Sequence, residues 1–227
     1  MRRKNTALHR NYRFINVHPI AGALGAEIKG VNISRPLKRE VVLEIRQAFL
    51  DHLVIFFHNQ ELTPQELFTF SRQFGLPMDY PQLKGLPECP MITEVIKLES
   101  EKLNFGGVWH SDTTYLEHPP MGSMLYAVNI PPYGGDTLFA NQYLAYETLS
   151  EGLKKALGNL VGISTSTKLE VSKTRDNRLS DSGEKLKVLC ASHPVVRTHP
   201  ETGHKALFVN SAHTTHFEGW PMQESQP

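Results

Sequence analysis

Short apolar runs broken by proline and glycine recur along the whole chain, and this limits the fold more than any other feature. Arg13–Val17, Gly22–Ile28, Val54–Phe57, Met91–Ile96, Met124–Val128, Asp136–Ala140, Val188–Leu189, Pro194–Thr198 and Ala206–Asn210 each read as a strand of a few residues. Helical periodicity appears only early and in mid-chain, so strands and helices do not alternate. A parallel α/β sheet needs that alternation. The pattern therefore predicts a mainly β chain, a barrel or sandwich decorated by helices.

The predicted helices have clear signals. Ser34 and Pro36 introduce one that runs to about His52, with Val41, Val42, Ile45, Ala48 and Phe49 at three- and four-residue steps. Thr63-Pro64-Gln65-Glu66 is a capping box with proline at the first helical position, and Gly75 closes the segment it opens. Tyr143 to Leu157 is helical with a restart at Ser150 and a stop at Gly158. Pro200-Glu201-Thr202-Gly203 joins the last two strands as a hairpin. Residues 164–187 are polar and charged and read as an insertion or a mobile lid within a single domain spanning 1–227.

A net charge of +1, from 24 basic and 23 acidic side chains, provides no field for a polyanion. We expect a small-molecule or protein partner, with neither nucleic acid nor membrane involved; homo-oligomerisation stays open. No apolar run approaches the roughly 18 residues of a membrane span. The two cysteines, Cys89 and Cys190, form no CxxC pattern, and ordinary thiols in a reducing cytoplasm are the simplest reading.

One stretch carries chemistry. In Gly106-Gly107-Val108-Trp109-His110-Ser111-Asp112-Thr113-Thr114-Tyr115, a histidine and a carboxylate stand two residues apart. In a strand they share a face: Val108, His110, Asp112 and Thr114 line one side, and Trp109, Ser111, Thr113 and Tyr115 the other. Imidazole with carboxylate suits Fe(II), Mn(II) or Zn(II), although most His-x-Asp pairs are ordinary polar residues. Further on, Pro131-Pro132-Tyr133-Gly134-Gly135 makes a constrained turn that delivers Asp136 and Thr137. The Thr137 hydroxyl is either a donor to a ligand carboxylate or a surface group. Tyr80 stands in the loop from Leu76 to Pro90, where packing competes with substrate contact.

Taken together, Asn11–Ile15, Gly25–Ile28, Trp109–Tyr115, Pro119-Pro120, Gly134–Phe139, His193–Pro200 and Leu207–Asn210 resemble the TauD/TfdA family of taurine and phenoxyalkanoate dioxygenases. The resemblance runs in register over nearly the whole chain. It implies a double-stranded β-helix (jelly-roll) core and dependence on Fe(II), 2-oxoglutarate and O2. The implied reaction hydroxylates a small organic acid, of sulfonate or phenoxyalkanoate type, while 2-oxoglutarate becomes succinate and CO2. His110 and Asp112 match the family's first two iron ligands, and Thr137 matches a residue that binds a carboxylate of 2-oxoglutarate. Taurine enzymes carry histidine and asparagine where this sequence has Tyr80 and Gly106, which argues against taurine itself.

The family's second histidine ligand, and the arginine that clamps the far carboxylate of 2-oxoglutarate, lie beyond the Leu207–Asn210 strand by more residues than this sequence holds. His213 and His216 follow that strand too closely to stand for that histidine, and interior or surface polar roles are expected of them. We therefore expect a jelly roll incomplete at its C-terminus and little succinate from the 227 residues alone. The alternative is a non-catalytic remnant that acts as a binding or interaction protein. Metal-dependent hydrolase or isomerase chemistry is disfavoured by the ordered motifs.

Overall fold

The structure, a computed structural model, describes residues 10–81, 83–102, 104–168 and 187–225. The architecture is mainly β with helices: eight short strands in three sheets, and four helices, among the described residues. Two compact units are present. Most of residues 164–187, including the whole centre of the expected lid, lies outside the described residues.

The first unit takes in the described residues up to Met78, with Pro87–Ile92 and Met124–Asn141. Strands β1 (Asn16–Pro19) and β2 (Ala26–Lys29) pair antiparallel with Val17 opposite Ile28, and β3 (Ile55–Phe56) joins β2 in parallel. Helix α1 (Arg39–His52) lays Ile45 and Ala48 against Ile15, Ile28 and Ile33. Phe70 of α2 (Pro64–Ser71) completes this core, edge-on to Phe57 and Phe74 at 5.7 and 5.2 Å between ring centres. The Glu44 carboxylate accepts hydrogen bonds from the amides of Arg13, Phe14 and Ile15, which fixes how the chain enters β1.

The second helix starts as its sequence predicts. The Glu66 amide donates to the Thr63 hydroxyl, and the Thr63 amide donates back to the Glu66 carboxylate. The first starts later than its sequence predicts, at Arg39 rather than near Pro36. Asn32 Oδ1 accepts from both the amide and the hydroxyl of Ser34, and the Leu37 amide donates to Gln73 Oε1. Those donors are committed to a turn and to a tertiary contact before the helix begins.

The second unit holds Asp79–Leu86, Thr93–Ser123 and the described chain from Gln142 onward. Helices α3 (Gln142–Glu147) and α4 (Glu151–Leu157) are split where expected, because the Ser150 hydroxyl accepts from the Leu153 amide and caps α4. Strand β4 (Val161–Thr165) runs between β5 (Cys190–Pro194) and β8 (Thr214–Phe217), antiparallel to both, with a bulge between Ile163 and Ser164 on the β8 side. The hairpin of β6 (Val196–Thr198) and β7 (Lys205–Leu207) forms around the predicted turn.

Not every predicted strand forms. Met91–Ile96, Met124–Val128, Asp136–Ala140 and Val188–Leu189 have no ladder partner among the described residues, and Val128 stays 87% exposed. An apolar run has strand propensity, but only a hydrogen-bonded neighbour makes it a strand. No described helix is long and apolar enough to cross a membrane.

Candidate metal centre

The His110–Asp112 stretch is a turn and not the strand its alternation predicts. Gly106 has φ +72° and Thr113 φ +48°, both in the left-handed region that breaks an extended run. The Leu116 amide closes the turn on the Thr113 carbonyl, and Thr113, Thr114 and Tyr115 are buried one after another, which no two-faced strand allows.

What replaces the strand is a set of anchors from β5 and from the segment after β7. Ser211 Oγ donates to the Trp109 carbonyl at 3.0 Å, and Asn210 Nδ2 donates to Thr114 Oγ1 at 3.3 Å. The Tyr115 ring stands edge-on to His213 at 4.9 Å, and His193 Nε2 donates to the Leu116 carbonyl at 2.9 Å. A threonine at positive φ is a strained, β-branched outlier, and the buried Thr113 hydroxyl has no hydrogen-bond partner among the described residues. Strain and an orphaned hydroxyl coincide in the residue next to Asp112.

The turn brings His110 and Asp112 together all the same. His110 Nε2 lies 3.2 Å from Asp112 Oδ1, with the side chains 33% and 43% exposed. His110 Nδ1 lies 2.8 Å from the Val108 carbonyl, which can only accept, so the neutral ring carries its proton on Nδ1. Nε2 then presents a lone pair to a carboxylate oxygen. Two acceptors at that distance repel unless a cation lies between them, either a proton on the ring or a metal ion. A histidine whose outer nitrogen donates to a backbone carbonyl is the usual arrangement of a metal ligand.

The hydrogen bond with His110 is the main cause that holds the Asp112 carboxyl below the usual carboxylate range. Burial works against it, while the Ser123 hydroxyl and the charges of His110 and His213 add to it. The Asp112 carboxyl is therefore held in its ionised form, the form that attracts a cation.

Two other predicted residues cluster here. A Cβ on Gly106 would lie 3.2 Å from His110 Cε1 and 3.8 Å from Nε2, so this glycine borders the Cε1–Nε2 edge of the ring. Tyr80 packs edge-on against Phe105, the neighbour of Gly106, at 6.3 Å. Thr137 belongs to the first unit, in an exposed segment without regular structure. His213 is 2% exposed, with its amide donating to Asn210 Oδ1 and its Nδ1 donating to the Thr165 carbonyl, an interior polar role. Nδ1 of His216 lies 2.9 Å from the Thr215 hydroxyl. Among the described residues, no three His, Cys, Asp or Glu side chains converge as a metal-binding group. Sequence reading did not single out Ser123, whose hydroxyl donates to Asp112 Oδ2; nothing in a Gly-Ser dipeptide points to a carboxylate ten positions back in the chain and more.

Residues 16–227 match the profile of the Taurine catabolism dioxygenase TauD, TfdA family. The chain belongs to this family. Among TauD/TfdA relatives it is 35% identical to an alkylsulfatase of Acinetobacter baylyi, over 86% of the chain and 62% of that protein. It is 31% identical to an alpha-ketoglutarate-dependent sulfate ester dioxygenase of Pseudomonas putida, over 93% of the chain and 71% of that protein. A crystal structure of a taurine dioxygenase from Burkholderia xenovorans superposes with a TM-score of 0.75 at 35% identity, covering 94% of this chain and 69% of that one. The chain thus spans about two thirds of the length of these TauD/TfdA proteins.

Proposed function

We propose that this chain is the iron-binding part of a 2-oxoglutarate-dependent dioxygenase, built as a single jelly-roll domain, that oxidises a small organic acid. The observation that carries the proposal is the approach of His110 Nε2 to Asp112 Oδ1 at 3.2 Å, with Nδ1 of the same ring on the Val108 carbonyl. His110 and Asp112 hold Fe(II), a borderline cation matched to nitrogen and carboxylate oxygen. The bound iron and 2-oxoglutarate supply the oxidation: O2 is consumed, 2-oxoglutarate leaves as succinate and CO2, and the second oxygen atom enters a substrate C–H bond.

The chain's own residues bind and orient. Thr137 donates its hydroxyl to a carboxylate of 2-oxoglutarate. Gly106 keeps the space beside the His110 ring clear, and Tyr80 packs edge-on against Phe105, the residue before Gly106. An aromatic pair suits a substrate with an apolar body behind its acidic group. The relatives named for sulfate esters favour an alkyl sulfate or a bulkier sulfonate over taurine, with a phenoxyalkanoate as the next class. Two free thiols, Cys89 and Cys190, accord with a reducing cytoplasm.

The test is succinate release from the gene product supplied with Fe(II), 2-oxoglutarate and a panel of alkyl sulfates, alkanesulfonates and phenoxyalkanoates. One class is expected to raise succinate above the substrate-free rate, and Asp112→Ala to abolish the rise. A panel that leaves the rate flat, or a rise that Asp112→Ala retains, overturns the proposal.

A further inference from the structure

Asp112 has two carboxylate oxygens, and they face different partners. Oδ1 points to His110 Nε2 at 3.2 Å, and Oδ2 lies 2.5 Å from Ser123 Oγ. An ionised carboxylate only accepts, so the serine hydroxyl is the donor, at the short distance of a charge-assisted bond. We propose that Ser123 is a positioning residue for the metal-binding carboxylate: it occupies Oδ2, leaves Oδ1 as the one oxygen available to the metal, and so sets one-oxygen ligation by Asp112. The proposal rests on His110 and Asp112 being the ligand pair.

Three observations support it. The terminal torsion of an aspartate is soft, so a carboxylate exposed to 43% of its surface turns freely unless something holds it. Ser123 is the side chain that engages Oδ2, and it arrives from eleven residues along the chain, beyond the stiff Pro119-Pro120 pair. Ser123 is itself exposed, so its hydroxyl gives up water to make this bond and contributes little apolar packing. A residue placed this way governs the carboxylate's orientation more than the stability of the fold. Donors that orient a metal ligand typically alter affinity by about 10- to 100-fold.

The experiment titrates Co(II) into the 227-residue protein at fixed pH and reads affinity by calorimetry and coordination by the visible absorption bands. It compares the parent with Ser123→Ala, Ser123→Thr and His110→Ala, each matched to the parent by thermal melt. Ser123→Ala is expected to weaken Co(II) about tenfold and shift the bands, and Ser123→Thr, which keeps the hydroxyl, to restore both. Parental affinity and bands in Ser123→Ala, while His110→Ala loses binding, overturn the positioning role alone. Equal losses in the alanine and threonine variants also overturn it, because the hydroxyl is then not the agent. Parental binding by His110→Ala, or no binding by the parent, overturns the ligand pair and this inference with it.

Discussion

At the scale of single residues, Gly106 shows how closely the backbone and the His110 side chain are linked. Its φ of +72° costs an L-residue about 1–2 kcal/mol, and a Cβ there meets the His110 ring at 3.2 Å. Gly106→Ala is therefore expected to lower stability by about 1–2 kcal/mol in urea denaturation and to weaken metal binding as the imidazole is pushed aside. Unchanged values for both would show that the glycine is incidental to the site. Thr113 makes a related point. A β-branched residue at positive φ with a buried, unpartnered hydroxyl beside Asp112 is held there by its surroundings, by Asn210 and His193 above all. That His110 and Asp112 stand side by side was legible in the sequence; their means of support was not. Alternation argued for a strand, and the turn that replaces it depends on contacts with residues about a hundred positions away, which local pattern does not report.

At the scale of elements, the signals that survived are those whose partners are close in sequence. The capping box at Thr63 and Glu66 and the restart at Ser150 are satisfied within three residues, and both helices begin where predicted. Strands β4 and β8 escaped notice because the buried positions of β4 are Gly162 and Ser164, and β8 is half-buried throughout with threonine or histidine at three of its four positions. Neither reads as an apolar run. Helix α1 carries a pH-sensitive end. Burial holds the His52 imidazole below its ordinary value of 6.5, against the pull of Asp51, so the folded state keeps the ring neutral where the unfolded state protonates it. The stability this gives is complete above pH 6.5 and is lost as the pH falls below that value toward the folded one. Urea midpoints measured between pH 7.5 and about 5 should fall on acidification, by at most about 1.4 kcal/mol per pH unit, and His52→Gln should flatten the slope. Glu27, held below 4.5 by His58 and Lys29, acts in a more acidic window and does not obscure the result. An identical slope in the variant would place the transition elsewhere.

At the scale of the molecule, the fold class was legible because it follows from punctuation: many short segments closed by proline and glycine, without strand–helix alternation. Sheet order was not, since β5-β4-β8 pairs strands whose register is set by tertiary contacts such as the Ser164–Thr214 hydroxyl pair. Membership of the TauD/TfdA family over residues 16–227 is the ground for proposing iron and 2-oxoglutarate chemistry at this turn, and the relatives named for sulfate esters suggest the first substrates to assay. The claim on which all of this depends is that His110 and Asp112 bind a metal. The direct measurement is Mn(II) binding by the unsubstituted protein, His110→Ala and Asp112→Ala, read by the loss of the free-ion paramagnetic resonance signal. Ligation by this pair predicts one ion per chain and an affinity at least about tenfold weaker in each variant. Equal affinity in the three proteins would contradict it.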